Sequence, residues 1–208
     1  MLSSQSTLTF LAASILLALA PGPDNIFVLT QSALHGRNAG LLVTLGLCTG
    51  LLAHSAAVAL GIAAIVQASG IAFTTIKYVG AAYLLYLAWQ AIRARATEPS
   101  AESGSNAGAE GLYWRGIIMN VTNPKVSIFF LAFLPQFVDP ARGYVIVQIL
   151  LLGGLFIVAT VVVFGSVALL AGSISDWFTR SERVQVILNR IAAVVFIGLA
   201  LKLVTSPR

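Results

Sequence analysis

Charge is what this chain lacks. Of its 208 residues only 9% are Asp, Glu, Lys or Arg, against 58% hydrophobic, whereas a soluble domain is typically about 25% charged. With a mean hydropathy of +0.93, a soluble globular protein is excluded and an integral membrane protein is expected. Cysteine is nearly absent as well, with Cys48 alone. A lone thiol forms neither an internal disulfide nor a CxxC redox centre. That excludes electron carriage through cysteine pairs and leaves Cys48 as a small packed hydrophobe. There are two histidines, His35 and His54, and no HExxH, CxxC or clustered carboxylates. No metal site and no cofactor are therefore expected. Strict apolar/polar alternation is missing too, which argues against a membrane β-barrel.

What is present is length of apolar chain. Six stretches, at about 7–34, 39–67, 71–92, 116–138, 144–172 and 184–205, are rich in Leu, Ala, Ile and Val. Each approaches or exceeds the ~20 residues that a helix needs to cross a bilayer. The reading is an all-α integral membrane protein with six transmembrane helices and no soluble domain. The first stretch contains Ala18-Leu19-Ala20, as a signal peptide would, but no Lys or Arg precedes it and Pro21 follows. It is read as a retained first helix. The net charge of +5 needs no nucleic-acid partner, because the cations sit in short loops and at helix ends. Placing Arg37, Arg93, Arg95, Arg115, Arg180 and Arg183 on the cytoplasmic side puts both termini outside. Trp89 and Trp114 fall near expected helix ends, as an interfacial aromatic belt requires.

The chain divides at a polar loop, residues 93–115, whose stretch Thr97–Gly111 is rich in Ser, Gly, Ala and Glu and cannot bury a core. The halves on either side, about 7–92 and 116–205, look related. Pro23-Asp24 matches Pro124-Lys125, and Ile26-Phe27 matches Ile128-Phe129 with a slip of one residue. Lys77 followed by Tyr83 matches Arg190 followed by Phe196. Three helices per copy is an odd number, so the second copy enters from the opposite face. The expectation is a single transporter-like domain of two inverted three-helix repeats.

Two charges stand inside apolar segments, Asp24 and Lys125, each directly after a proline. On translocon scales such a charge costs about 2.5–3.5 kcal/mol at bilayer depth, so it is expected to serve a purpose. Pro21-Gly22-Pro23 must break the first helix, and Asn123-Pro124 reads as a break in the fourth, with Asn as N-cap and Pro as first helical residue. Paired broken helices in corresponding positions point to a midplane binding site. Lys125 with a helix N-terminus suits a carboxylate, and Asp24 with the Asn25 amide suits an ammonium group. Asp24 is also the candidate carrier of a coupled proton. The alternative is an Asp24–Lys125 ion pair that only locks the helices. Asn120 and Asn123 line the second break. His54 is either a proton relay or a neutral ring bonded to a neighbouring helix, and His35 reads as a loop or interface residue. Tyr83 and Tyr86 share a helical face, lining a cavity or anchoring at the interface. Gly46-x-x-x-Gly50 permits close helix packing.

These motifs resemble the LysE/RhtB amino-acid exporter family. The segments that carry the resemblance are Ala20-Pro21-Gly22-Pro23-Asp24, Gly80-Ala81-Ala82-Tyr83-Leu84, and Asn123-Pro124-Lys125 followed by Phe129-Phe130 and Leu134-Pro135-Gln136-Phe137. They occur in the family's order and span the chain. The resemblance implies a multi-pass protein of the bacterial inner membrane that exports amino acids or derivatives on an ion gradient, with membrane lipid as its surroundings and homo-oligomerisation left open. The absence of a second buried acid favours neutral solutes of the homoserine, threonine or leucine type. An inorganic-ion or metal carrier would want more buried carboxylates, histidines or thiols. An intramembrane enzyme would want a nucleophile with a base or a second aspartate, and no such motif occurs. A purely structural subunit would have no use for two broken helices bearing opposite charges.

Overall fold

The computed structural model describes residues 2–68, 70–94, 108–180 and 182–205. Among them the chain is helical, with no strand. The helices are α1 (Ser4–Leu19), α2 (Pro23–His35), α3 (Arg37–Ala68), α4 (Gly70–Arg93), α5 (Ala109–Thr122), α6 (Pro124–Ile128), α7 (Val145–Arg180) and α8 (Glu182–Thr205). A π-helical turn, Phe129–Phe133, and a 3₁₀ turn, Leu134–Phe137, continue α6.

Both expected breaks are present, for local reasons. α1 starts on Ser3, whose hydroxyl accepts the Ser6 N–H at 3.0 Å, and stops at Leu19 because Pro21 has no N–H to continue the ladder. α2 restarts after Gly22 with Pro23 in its first turn, and the axes of α1 and α2 differ by 60°. α5 ends at Thr122. The Asn123 side chain then caps α6 by accepting the Lys125 N–H at 2.9 Å, and the chain bends by 50°.

Among the described residues, three segments are long and apolar enough to cross a membrane unaided: Arg37–Gly61, Val145–Ala171 and Gln185–Thr205. Counting each bent pair as one span raises the number to five. The expected span at 71–92 falls in α4, whose 24 residues include Thr74, Thr75, Lys77 and Gln90. The expected polar loop ends earlier than residue 115. α5 begins at Ala109, with Glu110 in its first turn, where an acid favours the helix dipole, and with Leu112 buried. Residues 97–107 of that loop, Arg95 and Arg208 lie outside the described residues.

α3 packs on α5 and α7, α1 on α7, and α4 on α8. The α3–α5 contact is close because Gly46 and Gly50 face Gly116 and Asn120. A Cβ on Gly46 would collide with the Tyr113 carbonyl, and one on Gly50 would stand 2.7 Å from Asn120 Oδ1. Hydroxyls inside the helices satisfy themselves on the carbonyl four residues back: Ser14 on Phe10, Ser32 on Val28, Thr44 on Gly40 and Ser55 on Leu51, at 2.7–2.8 Å. The outer surface carries Leu52, Leu60, Val162, Leu169, Val194 and Leu201 exposed, which suits lipid rather than water. The protein is a multi-pass membrane protein.

Among the described residues the buried apolar side chains form two clusters. One gathers Phe10, Phe129, Phe133, Phe137 and Phe156 with residues of α3, α4, α7 and α8. Within it the Phe129 ring centroid lies 4.9 Å from Phe133 and 5.2 Å from Phe156. The other joins Phe27, Val28, Val43, Leu47, Leu112 and Phe164. Along α3 the second cluster gives way to the first between Leu47 and Leu51, and Gly50 lies in that interval, near the centre of the Arg37–Gly61 span.

Candidate functional site

The two breaks meet, and each is completed by the other. Pro21 leaves the Leu17 carbonyl without the N–H that a fourth following residue would donate. Lys125 supplies it: its Nζ donates to Leu17 O at 3.3 Å and to Ala20 O at 3.1 Å. These carbonyls form the negative end of α1, where a cation is favoured. Asn25 does similar work, its Nδ2 donating to Ala18 O at 2.7 Å. In the other direction, Asp24 in the first turn of α2 accepts from Asn123 Nδ2 at 2.8 Å.

Lys125 is buried to 6% exposure and Asp24 to 2%. No Asp24–Lys125 ion pair within 4 Å forms among the described residues, where the ion pair at that distance is Arg142–Asp139 at 2.9 Å on the surface. The direct lock entertained from sequence is therefore replaced by an indirect one, through Asn123 and the α1 carbonyls. Room for the Lys125 head is provided by Gly22, where a Cβ would stand 3.0 Å from Nζ.

Not every buried polar atom is satisfied. Asp24 Oδ1, Asn25 Oδ1 and Asn120 Oδ1 have no hydrogen-bond partner. Asn120 lies on α5 one turn before Asn123, and its carbonyl accepts the Asn123 N–H at 3.1 Å. The same carbonyl lies 3.2 Å from His54 Nε2, and the His54 ring lies 5.6 Å from that of Phe130. The structure thus brings Asp24, Asn25, Asn120, Asn123, Lys125 and His54 into one neighbourhood with Pro21, Gly22, Pro23 and Pro124.

It does not bring Tyr83 and Tyr86 there. They stand on the outer side of α4, 5.8 Å apart, and Tyr86 is 46% exposed. Tyr86 stacks on Trp89, and Arg93 lies over the Trp89 ring at 4.5 Å. Of the two readings for these tyrosines, cavity lining or interfacial anchoring, this aromatic ladder on the α4 surface, with Tyr83 half-buried and Tyr86 exposed, fits the anchor. The shared face was legible from their spacing, but which way it points was not. His35 ends α2 and is exposed.

Sequence reasoning passed over three features here. The carbonyls of Leu17, Ala18 and Ala20 belong to the backbone and carry no sequence signal beyond the prolines after them. Gly50, which its spacing marks only as a packing residue, is what lets Asn120 approach α3. Gln148 is fully buried and fixes the turn before α7, bonding Asp139 N and O at 2.9 Å and Gly143 O at 2.6 Å. Its signal was that of a lone amide in the apolar stretch 144–172.

No solved structure matches the chain. It is 32% identical over 200 residues to an uncharacterised membrane protein of Vibrio cholerae, covering 96% of each chain. It is 34% identical over 176 residues to a homoserine/homoserine lactone efflux protein of Salmonella typhimurium, covering 85% of each. A Bacillus subtilis membrane protein, YrhP, is 26% identical over 206 residues, 95% of this chain and 97% of its own. The LysE type translocator family matches residues 15–207, and the chain belongs to that family.

Proposed function

We propose that this protein is a secondary-active carrier that exports amino acids or close derivatives, neutral ones of the homoserine, threonine or leucine type, across the bacterial inner membrane, driven by the proton gradient. The observation that carries the reading is Asp24: a carboxylate nearly excluded from solvent, at the meeting of two broken helices, with one oxygen bonded and the other unpartnered. A buried acid without a full set of donors is poised to take an ammonium group or a proton. The Salmonella relative, a homoserine/homoserine lactone efflux protein, points in the same direction. His54, one carbonyl away from Asn123, is the candidate relay.

The architecture we propose is two inverted repeats of three helices. Support comes from four neighbour relations that survive exchange of the halves. α3 packs on α5 as α7 packs on α1, and the α3–α7 and α4–α8 contacts map onto themselves. The reciprocal bonds at the breaks follow the same exchange, because Asp24 and Lys125 occupy corresponding positions. Such repeats let one half rock against the other around a fixed site.

The test is efflux from cells expressing the protein, preloaded with labelled basic, neutral and hydroxylated amino acids, with and without a protonophore. The expected result is selective efflux of neutral species that the protonophore stops. No efflux across the panel, with the protein confirmed in the membrane, would refute the reading.

A further inference from the structure

A zwitterionic solute presents two charged ends, and Asp24 and Lys125 together offer a partner for each. The geometry treats the two residues differently. The Lys125 ammonium is tied to the carbonyls of Leu17 and Ala20, one of them orphaned by Pro21, and its head is pressed against Gly22. Turning it toward a solute carboxylate would strip a buried helix end of its donor. The buried side-chain atoms left unpartnered at the crossing are Asp24 Oδ1, Asn25 Oδ1 and Asn120 Oδ1, with Asp24 and Asn120 each 2% exposed. All three are oxygens. Asn25 cannot offer its amide nitrogen instead, because Ala18 O holds it at 2.7 Å. A side-chain acceptor set of this kind calls for N–H donors and offers a carboxylate no charged partner.

We infer that the site recognises the ammonium end of its solute and provides no dedicated cation for the carboxylate end. This rests on the carrier reading above and narrows it. Its ligands are compounds with a free amino group, including those whose carboxylate is amidated, while acylation of the amine removes recognition. Lys125 is a positioning residue that holds α1 in place. The discrimination runs one way because a buried acceptor left without its donor is penalised far more than a missing contact elsewhere.

The experiment uses the purified full chain in proteoliposomes, with labelled L-leucine as substrate and leucinamide or N-acetyl-leucine as competitor, and ligand-induced thermal stabilisation in detergent as a transport-independent readout. Leucinamide is expected to compete within about threefold of unlabelled leucine, and N-acetyl-leucine at least about tenfold more weakly, a gap of about 1.4 kcal/mol or more. Lys125→Met is expected to lower leucine and leucinamide transport in equal proportion. The inference is overturned if N-acetyl-leucine competes better than leucinamide, or if Lys125→Met lowers leucine transport selectively and spares leucinamide. Should Lys125→Met fail to fold, the competitor order on the unaltered protein decides alone. Absence of transport and of stabilisation by leucine, threonine and homoserine and by their amides alike refutes the carrier reading and this inference with it, whereas transport of any of the three that its amide cannot inhibit overturns only the inference.

Discussion

Asn123 Nδ2 donates to Asp24 Oδ2 at 2.8 Å across 99 residues of chain, joining the start of α2 to the start of α6. The same side chain caps α6 through its oxygen, which accepts the Lys125 N–H at 2.9 Å. One amide thus holds the two breaks in register, and neither a carboxylate nor a hydroxyl can replace both of its ends.

Asn123→Asp keeps the capping oxygen but turns a second carboxylate toward Asp24. Transport is expected to fall at least about tenfold while α6 stays capped. Asn123→Ala loses both bonds, a cost of about 2–4 kcal/mol if the two are independent. Thermal unfolding in detergent, set beside efflux rates, separates the two variants: the aspartate should damage transport more than stability.

Asp24→Asn is expected to abolish efflux with unchanged membrane insertion, measured by blotting of isolated membranes. Because Asp24 and Lys125 do not pair directly, removing both charges should not restore the activity. The Asp24→Asn, Lys125→Gln double variant is expected to be at least as impaired as Asp24→Asn, since it also strips the Leu17 and Ala20 carbonyls of their donor. Recovery to near the unaltered rate would mean that the charges only neutralise each other.

Gly22 tests the berth of the Lys125 head. Its φ of −172° is extended backbone that any residue adopts, so Gly22→Ala acts through the 3.0 Å approach to Nζ alone. Displacing the ammonium is expected to cost about 1–3 kcal/mol, the range for overpacking a tight interior. Gly165→Ala, where a Cβ meets nothing within 4 Å, is the matched control in the same melting experiment.

The α3–α5 seam is tested by Gly46→Ala and Gly116→Ala. In both a Cβ is driven against the backbone of the other helix, which cannot move as a flexible side chain can. A marked loss of folded protein in size-exclusion chromatography is expected. Gly154→Ala meets open space and should match or slightly exceed the parent, because Ala is favoured over Gly inside a helix by about 1 kcal/mol.

Legibility from sequence followed how local each cause was. Pro21-Gly22-Pro23 and Asn123-Pro124 announced two breaks because proline acts on its own turn. The charges Asp24 and Lys125 announced a site because their cost is the same wherever the neighbours are. The partners were not legible. Lys125 bonds backbone carbonyls 105 and 108 residues away, and a carbonyl has no letter in the sequence. The face of Tyr83 and Tyr86 was legible as a face, but its direction is fixed by α8 packing against the opposite side of α4. The helical start at Ala109 was hidden by Gly111, which weighs toward loop in composition but is tolerated where Leu112 buries.

The slip of one residue between Ile26-Phe27 and Ile128-Phe129 has a counterpart in the π-helical turn Phe129–Phe133. Closing each bond on the fifth residue instead of the fourth lodges one extra amino acid in a turn. That turn works as a vernier. It absorbs the surplus locally, so Lys125 above it and the Leu134–Phe137 turn below it need not be rotated by the ~100° that one residue adds to an α-helix. Shortening Phe129–Phe133 by one residue would therefore do more than trim the aromatic cluster. It would re-aim one end of the fourth segment relative to the other, and either the ammonium or the phenylalanines would leave their places.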